Sequence, residues 1–151
     1  MLEQNIKDYI KRSVLCWLAT VDGNQPSVSP KEIFTNYGDD TVIIANIASP
    51  NSIKNIIRNN KVCVSFVDIF SQKGFQLYGE AHVSTLKSES DKAKLAILQK
   101  LAGNLFAVKS FIDIKILTVK PIVAPSYRFF DNTNEEEMIK SALKTYGVTR
   151  L

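Results

Sequence analysis

Histidine and cysteine are scarce in this chain of 151 residues: His82 is the one imidazole, and Cys16 and Cys63 are the two thiols. A lone histidine without a carboxylate cluster beside it does not suggest a metal site, and no metal is expected. The two cysteines sit inside apolar runs without CxxC spacing, which points to reduced, buried thiols in a cytoplasmic protein rather than to disulfides or redox chemistry. No Ser-His-Asp set, glycine-rich nucleotide loop or pair of catalytic carboxylates is visible. No apolar run reaches the roughly 18 residues that a spanning helix needs. The opening MLEQNIKDYIKR lacks the apolar core of a signal peptide, so no membrane association is expected. The net charge of +4 is mild and spread along the chain. No basic stripe interleaved with aromatics is present, so nucleic acid is not an expected partner.

What is present reads as strands bracketed by short helices. The apolar fraction of 45% and charged fraction of 23% are those of an ordinary globular protein, and the length suits one domain, residues 1–151. Leu2, Ile6, Tyr9 and Ile10 recur at helical spacing. VLCWLATV (14–21) favours a strand, Asp22-Gly23 supplies a hairpin turn, and PSVSPKEIFTN continues as the second strand. Gly38-Asp39-Asp40 turns into TVIIANI. Residues 61–70 and 75–85 form a further pair, and 112–119 alternates as a last strand. Residues 88–101 read as a helix with Gly103 past its end, and Asn134 caps another that starts with Glu135, Glu136 and Glu137. Pro26 and Pro30 cannot donate to a ladder, so the second strand is expected at an edge, at a bulge or facing a ligand. Sequential strands with tight turns predict a mainly β, α+β fold with an antiparallel barrel of five or six strands.

Residues 44–66, IANIASPNSIKNIIRNNKVCVSF, pass from strand to helix to strand almost without a loop. Ser49 suits an N-cap and Pro50 the first helical position, leaving the N–H groups of Asn51, Ser52 and Ile53 pointing out of the helix start. Such a start can hold a phosphate, with Ser52 adding a hydroxyl and Lys54 a charge. Most Ser-Pro helix starts merely connect two elements, so on this motif alone both readings stand.

Three stretches resemble the pyridoxamine 5′-phosphate oxidase-related flavoproteins, the FMN-binding split-barrel family, over roughly residues 4–125. They are VLCWLATVDGNQPSVSPKEIF, SPNSIKNIIRNNKVCVSF, and GFQLYGEAHV with its central Gly-x-Ala; IASPNS and APSY resemble a branch of small bacterial members. The resemblance implies a six-stranded antiparallel split barrel that forms a homodimer and binds FMN in grooves between subunits. It implies a flavin phosphate at the start of the short helix, near Asn51, Ser52 and Lys54, with Lys31 as a second basic candidate. Val28, Ser29, Pro30 and Lys31 would line the flavin edge, and Gln76 would meet its polar edge. True oxidases place basic side chains where this chain has Asn51 and Ser52. Their C-terminal Arg and His segment is also missing: the chain ends SALKTYGVTRL with no histidine after His82. An FMN-dependent oxidoreductase with a small-molecule substrate and a nicotinamide or small organic donor is therefore expected, rather than oxidation of pyridoxamine phosphate. A flavin carrier without turnover, a haem protein using His82, and a scaffold without cofactor are the alternatives. Each residue also has a plainer role: Lys31 and Lys54 as solvated lysines, Ser29 satisfying backbone, Gln76 facing water, Trp17 in core or interface. Tyr127 and Arg128 suit either a neighbouring subunit's site or an anchor for the tail.

Overall fold

The computed structural model describes residues 1–149; Arg150 and Leu151, at the end of the expected 1–151 domain, lie outside the described residues. Seven strands form one antiparallel sheet: β1 (Cys16–Asp22), β2 (Gln25–Lys31), β3 (Phe34–Tyr37), β4 (Thr41–Ala45), β5 (Lys61–Asp68), β6 (Lys73–Ser84) and β7 (Phe111–Val123). Among the described residues five helices surround it: α1 (Gln4–Arg12), α2 (Pro50–Arg58), α3 (Glu89–Ala102), α4 (Ser126–Phe129) and α5 (Glu135–Tyr146). The strand order is β2-β1-β5-β6-β7-β4-β3.

That order makes the sheet a split barrel. Its two edge strands, β2 and β3, are joined by Glu32 and Ile33 alone. Three peptide steps reach at most about 11 Å, whereas six strand spacings in a flat sheet would separate the edges by about 29 Å. The sheet must therefore curl until its edges approach, and no ladder joins β2 to β3. This is also why seven strands replace the expected six. The run from Pro26 to Asn36, read as a single strand, bends at Glu32–Ile33 as the chain crosses from one edge to the other. Both prolines lie on the edge strand β2, where a missing N–H costs no ladder bond.

Alternation fills the barrel. Leu18, Val64, Leu77 and Ile114 point inward at essentially zero exposure, with Phe66, Ile44 and Ile112 beside them. Ile6 and Ile10 close the barrel from α1, and Ile56 from α2. A second cluster of Ile43, Phe111, Leu98 and Ala102 seats α3 on β4 and β7. Gly79, the centre of the Gly-x-Ala motif, lies where β6 slips register against β7; a Cβ there would come within 2.2 Å of the Lys115 carbonyl oxygen. Only glycine fits so close a backbone approach. Trp17 is half-exposed on the outer face of β1, not in the core. Tyr127 anchors the tail, its hydroxyl donating to the Ser71 carbonyl at 2.9 Å. Asn134 caps α5 as expected, accepting from the Glu136 N–H.

Candidate functional site

The start of α2 is built by three unusual local choices. Ala48 adopts a left-handed φ of 50°, a conformation that costs a residue with a Cβ about 1–2 kcal/mol. It swings the chain from β4 directly into the helix. Ser49 then stands at the N-cap but does not cap: its hydroxyl donates to the Ile47 carbonyl at 3.2 Å and accepts from the Lys31 ammonium at 2.6 Å. Pro50 has no N–H, and the Ile53 N–H is bonded to the Ser49 carbonyl. Among the described residues, the N–H groups of Asn51 and Ser52 are left without partners at the positive end of the helix.

Lys31, at the inner end of β2 opposite Cys16, is buried at 7% exposure and has no carboxylate partner among the described residues. Burial lowers the pKa of its ammonium from the ordinary 10.5, while nearby Cys16 pulls it the other way. Burial in turn pushes the Cys16 thiol from 9.0 up to about 12, with Lys31 drawing it back. A cation buried beside a serine hydroxyl and a neutral thiol, without a paired carboxylate among the described residues, is costly. An anion placed there would relieve that cost. The plainer expectation of a solvated lysine does not hold for Lys31, whereas Lys54 is exposed.

The far end of α2 is held independently. Asn55, buried, donates to Thr20 Oγ1 at 3.0 Å, and Arg58 lies 3.4 Å from Asp22. Ser52 is buried on the same side of the helix as Asn55 and Ile56, whereas Asn51 is exposed. Two hollows meet at Ser49. One, ≈ 590 Å³, runs along α2 past Asn46, Pro50, Ile53 and Lys54; the other, ≈ 170 Å³, lies between Lys31, Pro30, Ile47 and Phe106.

The structure brings together Lys31, Asn51, Ser52 and Lys54 around Ser49, with Pro30 at the rim. Val28 and Pro30 belong to the opposite, outer face of β1–β2 by the alternation of the ladder, paired with Ala19 and Trp17. Ser29 is half-buried on the inner face, across from Leu18. Gln76 stands on the outer face in the row Pro30-Trp17-Ser65-Gln76-Lys120, three strand spacings or about 14 Å from Pro30. There its amide oxygen accepts from the Tyr78 hydroxyl at 3.2 Å, and Lys120 lies 5.0 Å from the Tyr78 ring centroid. Ser49 as lysine acceptor, Asn55 and Phe106 were not legible as site residues. An N-cap serine, a mid-helix asparagine and a loop phenylalanine carry no spacing signal.

A single antiparallel sheet curled until its two edge strands approach without a ladder between them is a split barrel. The family described as pyridoxamine 5′-phosphate oxidase matches residues 2–124, and the chain belongs to it. No curated protein matches the chain. HupZ of Group A Streptococcus is similar in structure, with a TM-score of 0.69 and 27% identity over 79% of this chain and 92% of that one. A single-residue variant of HupZ gives 0.71 and 26%, covering 81% of this chain and 100% of the other. An FMN-binding protein of Syntrophomonas wolfei shares the fold, with a TM-score of 0.66 and 19% identity over 79% and 84% of the two chains.

Proposed function

We propose that the chain is an FMN-binding flavoprotein acting as an oxidoreductase between a nicotinamide or small organic donor and an acceptor. The observation that carries this is the start of α2: two N–H groups without partners among the described residues, close in the chain to Ser49, which accepts from the buried Lys31 ammonium. Asn51 and Ser52 would donate backbone N–H bonds to the flavin phosphate, Lys31 would neutralise it, and Lys54 would add charge from the exposed side. Val28, Pro30 and Gln76 would lie along the ring on the outer face, with Ser29 beside Lys31 on the inner face, in a groove completed by a second copy in a cytoplasmic homodimer. FMN, when bound, supplies the hydride chemistry itself. This chain's residues would bind the phosphate, orient the ring and hold donors at its polar edge. No side-chain acid or base is required, which fits the absence of paired catalytic carboxylates.

The test is the absorbance spectrum of the purified protein before and after incubation with FMN and desalting, together with Asn51→Asp. Asn51 is exposed in the first helical turn, where an added carboxylate suits the dipole, so the variant should fold as well as the parent. Its charge should nevertheless repel the phosphate. Retained flavin bands in the parent and none in the variant are expected; a parent from which all FMN washes off sinks the proposal. Steady oxidation of NADPH in excess of bound flavin separates an enzyme from a carrier. One observation favours a haem reading: His82 is exposed beside a hollow lined by Ile56, Ile57, Ala81 and Val83 together with Asn60 and Thr85. A Soret band abolished by His82→Ala would establish it.

A further inference from the structure

The loop from α3 to β7 carries a phenylalanine into the site, and a single amide holds that loop. Gln99 Nε2 donates to the carbonyls of Gly103 at 2.8 Å and Phe106 at 2.9 Å, while its Oε1 accepts from the Val108 N–H at 2.9 Å. Both N–H donors and one acceptor position of the amide are thereby used on one eight-residue loop. The far end of the loop is fastened to the strand-to-helix connection: the Asn46 N–H donates to the Ser110 carbonyl at 3.0 Å, and Asn46 Nδ2 to Ser110 Oγ at 2.9 Å. Between these clamps Phe106, half-exposed, forms a wall of the ≈ 170 Å³ hollow that Lys31 and Ser49 line from the other side. Apart from those two residues and Glu32, the hollow is apolar, with Pro30, Ile33, Ala45 and Ile47.

A buried ammonium beside an apolar wall suits an anion that brings an organic stem with it. A bare, fully hydrated phosphate would lose its water to Pro30, Ile47 and Phe106 and gain nothing from them. The carbon stem of a phosphate monoester would bury apolar surface against the same side chains.

We propose that Phe106 is a specificity-determining residue that makes the α2 site select organic phosphate monoesters over inorganic phosphate, and that Gln99 is the positioning residue that holds it there. This rests on the reading that the start of α2 binds a phosphate. Gln99→Glu tests the clamp because it keeps size and the acceptor for Val108 but sets a carboxylate against two carbonyl oxygens. Phe106→Ala tests the wall at a half-exposed position that the core does not need.

Two measurements on the full chain decide it. The first, without ligand, is the rate at which an amine-acylating reagent labels Lys31, read by mass spectrometry against exposed Lys87 and Lys144. Both variants should raise the Lys31 rate severalfold and leave the other two unchanged; an unchanged Lys31 rate overturns the positioning role. The second is the Kd for FMN and for inorganic phosphate. Both variants should weaken FMN by about tenfold, the equivalent of one lost aromatic contact, and inorganic phosphate by less than about twofold. The double variant should be no weaker than Phe106→Ala, since Gln99 acts through Phe106. If FMN and phosphate weaken equally, the selectivity is overturned while the α2 reading stands. If the wild-type protein binds neither, the α2 reading falls and this inference with it.

Discussion

Lys31 and Cys16 face each other across the first ladder pair of the sheet, and their proton equilibria move in opposite directions for one cause. Burial disfavours whichever form is charged, so it lowers the lysine pKa and raises the thiol pKa to about 12. The consequences for stability have opposite signs. The unfolded chain keeps the lysine proton to higher pH than the folded one, so the cost of burying Lys31 is relieved as pH rises through its lowered pKa towards 10.5. The thiol does the reverse: between 9.0 and about 12 the unfolded chain ionises and the folded one does not, so stability falls there by up to about 1.4 kcal/mol per pH unit. Replacing Cys16 by Val should flatten the alkaline loss of stability, and melting temperatures across this range compare the two proteins directly. An equally steep decline in Cys16→Val would show that the thiol is not the group responsible. For ligand binding only the lysine counts. FMN affinity should decline as pH rises past a value below 10.5, and Lys31→Met should bind about 10–100-fold more weakly at neutral pH, with that alkaline decline gone. Titration of flavin fluorescence quenching at several pH values would reveal a variant that still declines in parallel with the wild type.

The elements that carry these residues are held by interactions of unequal legibility. Helix α3 sits on the sheet through Leu98 and Ala102 and through an ion pair between Lys94 and Asp113, both nearly buried, with Lys94 also 5.0 Å from the Tyr37 ring centroid. Removing one partner of such a pair leaves a buried charge behind, so Lys94→Met should cost about 3–5 kcal/mol in urea unfolding. Lys94→Met combined with Asp113→Leu should recover much of that; a double variant as unstable as the single one would mean that packing, not charge, is what was lost. Because Gln99 rides on the same helix, the single variant should also loosen Phe106. At the bulge of β6, Gly79→Ala must displace the Lys115 backbone, and a loss of about 2–4 kcal/mol is expected from the same unfolding experiment. Most of these elements could be read from the sequence because their signals are local. The 3.6 period of Leu2, Ile6 and Ile10, the Asp22-Gly23 turn, Gly103 past the end of α3, the capping Asn134, and the alternation in β5 and β6 each specify themselves. The break between β2 and β3 could not be read, since it is imposed by closure of the whole sheet. The Lys94–Asp113 pair and the Gln99 clamp escaped for the same reason: each joins residues whose meeting depends on where α3 lands. In the site, Lys31, Asn51 and Lys54 could be picked out beside the Ser-Pro turn, but the diversion of Ser49 from cap to lysine partner depends on a strand that ends 18 residues earlier in the chain.

At the scale of the molecule, the isolated chain exposes more surface than its mass warrants. A compact monomer of 16.9 kDa should expose about 7,700 Å², whereas this one exposes 9483 Å². The excess of about 1,800 Å² is more than the roughly 800 Å² that each partner gives up in a standard protein interface. Much of the surface is apolar and lies where a partner could cover it. Val28 and Trp17 are exposed at 60% and 47% on the outer face of β2–β1, and Val14, Leu15 and Ile69 border a hollow of ≈ 400 Å³ beside Trp17. Helix α5, which buries only Ala142 fully against its own chain, adds a further uncovered side. The outer face that holds Val28, Pro30 and Gln76 is thus the face a second copy would cover, and a flavin ring lying there would be sandwiched rather than left in water. Assembly and cofactor retention should therefore fail together. Val28→Asp puts a charge on this face, at an edge-strand position the monomer leaves largely in solvent, so the fold should survive. Light scattering on the eluting peak should give twice 16.9 kDa for the parent and 16.9 kDa for the variant, with flavin absorbance lost from the variant peak. A parent that elutes at the single-chain mass and still carries flavin would show that one copy suffices, and the ring would then have to lie along α2, inside the ≈ 590 Å³ hollow past Lys54.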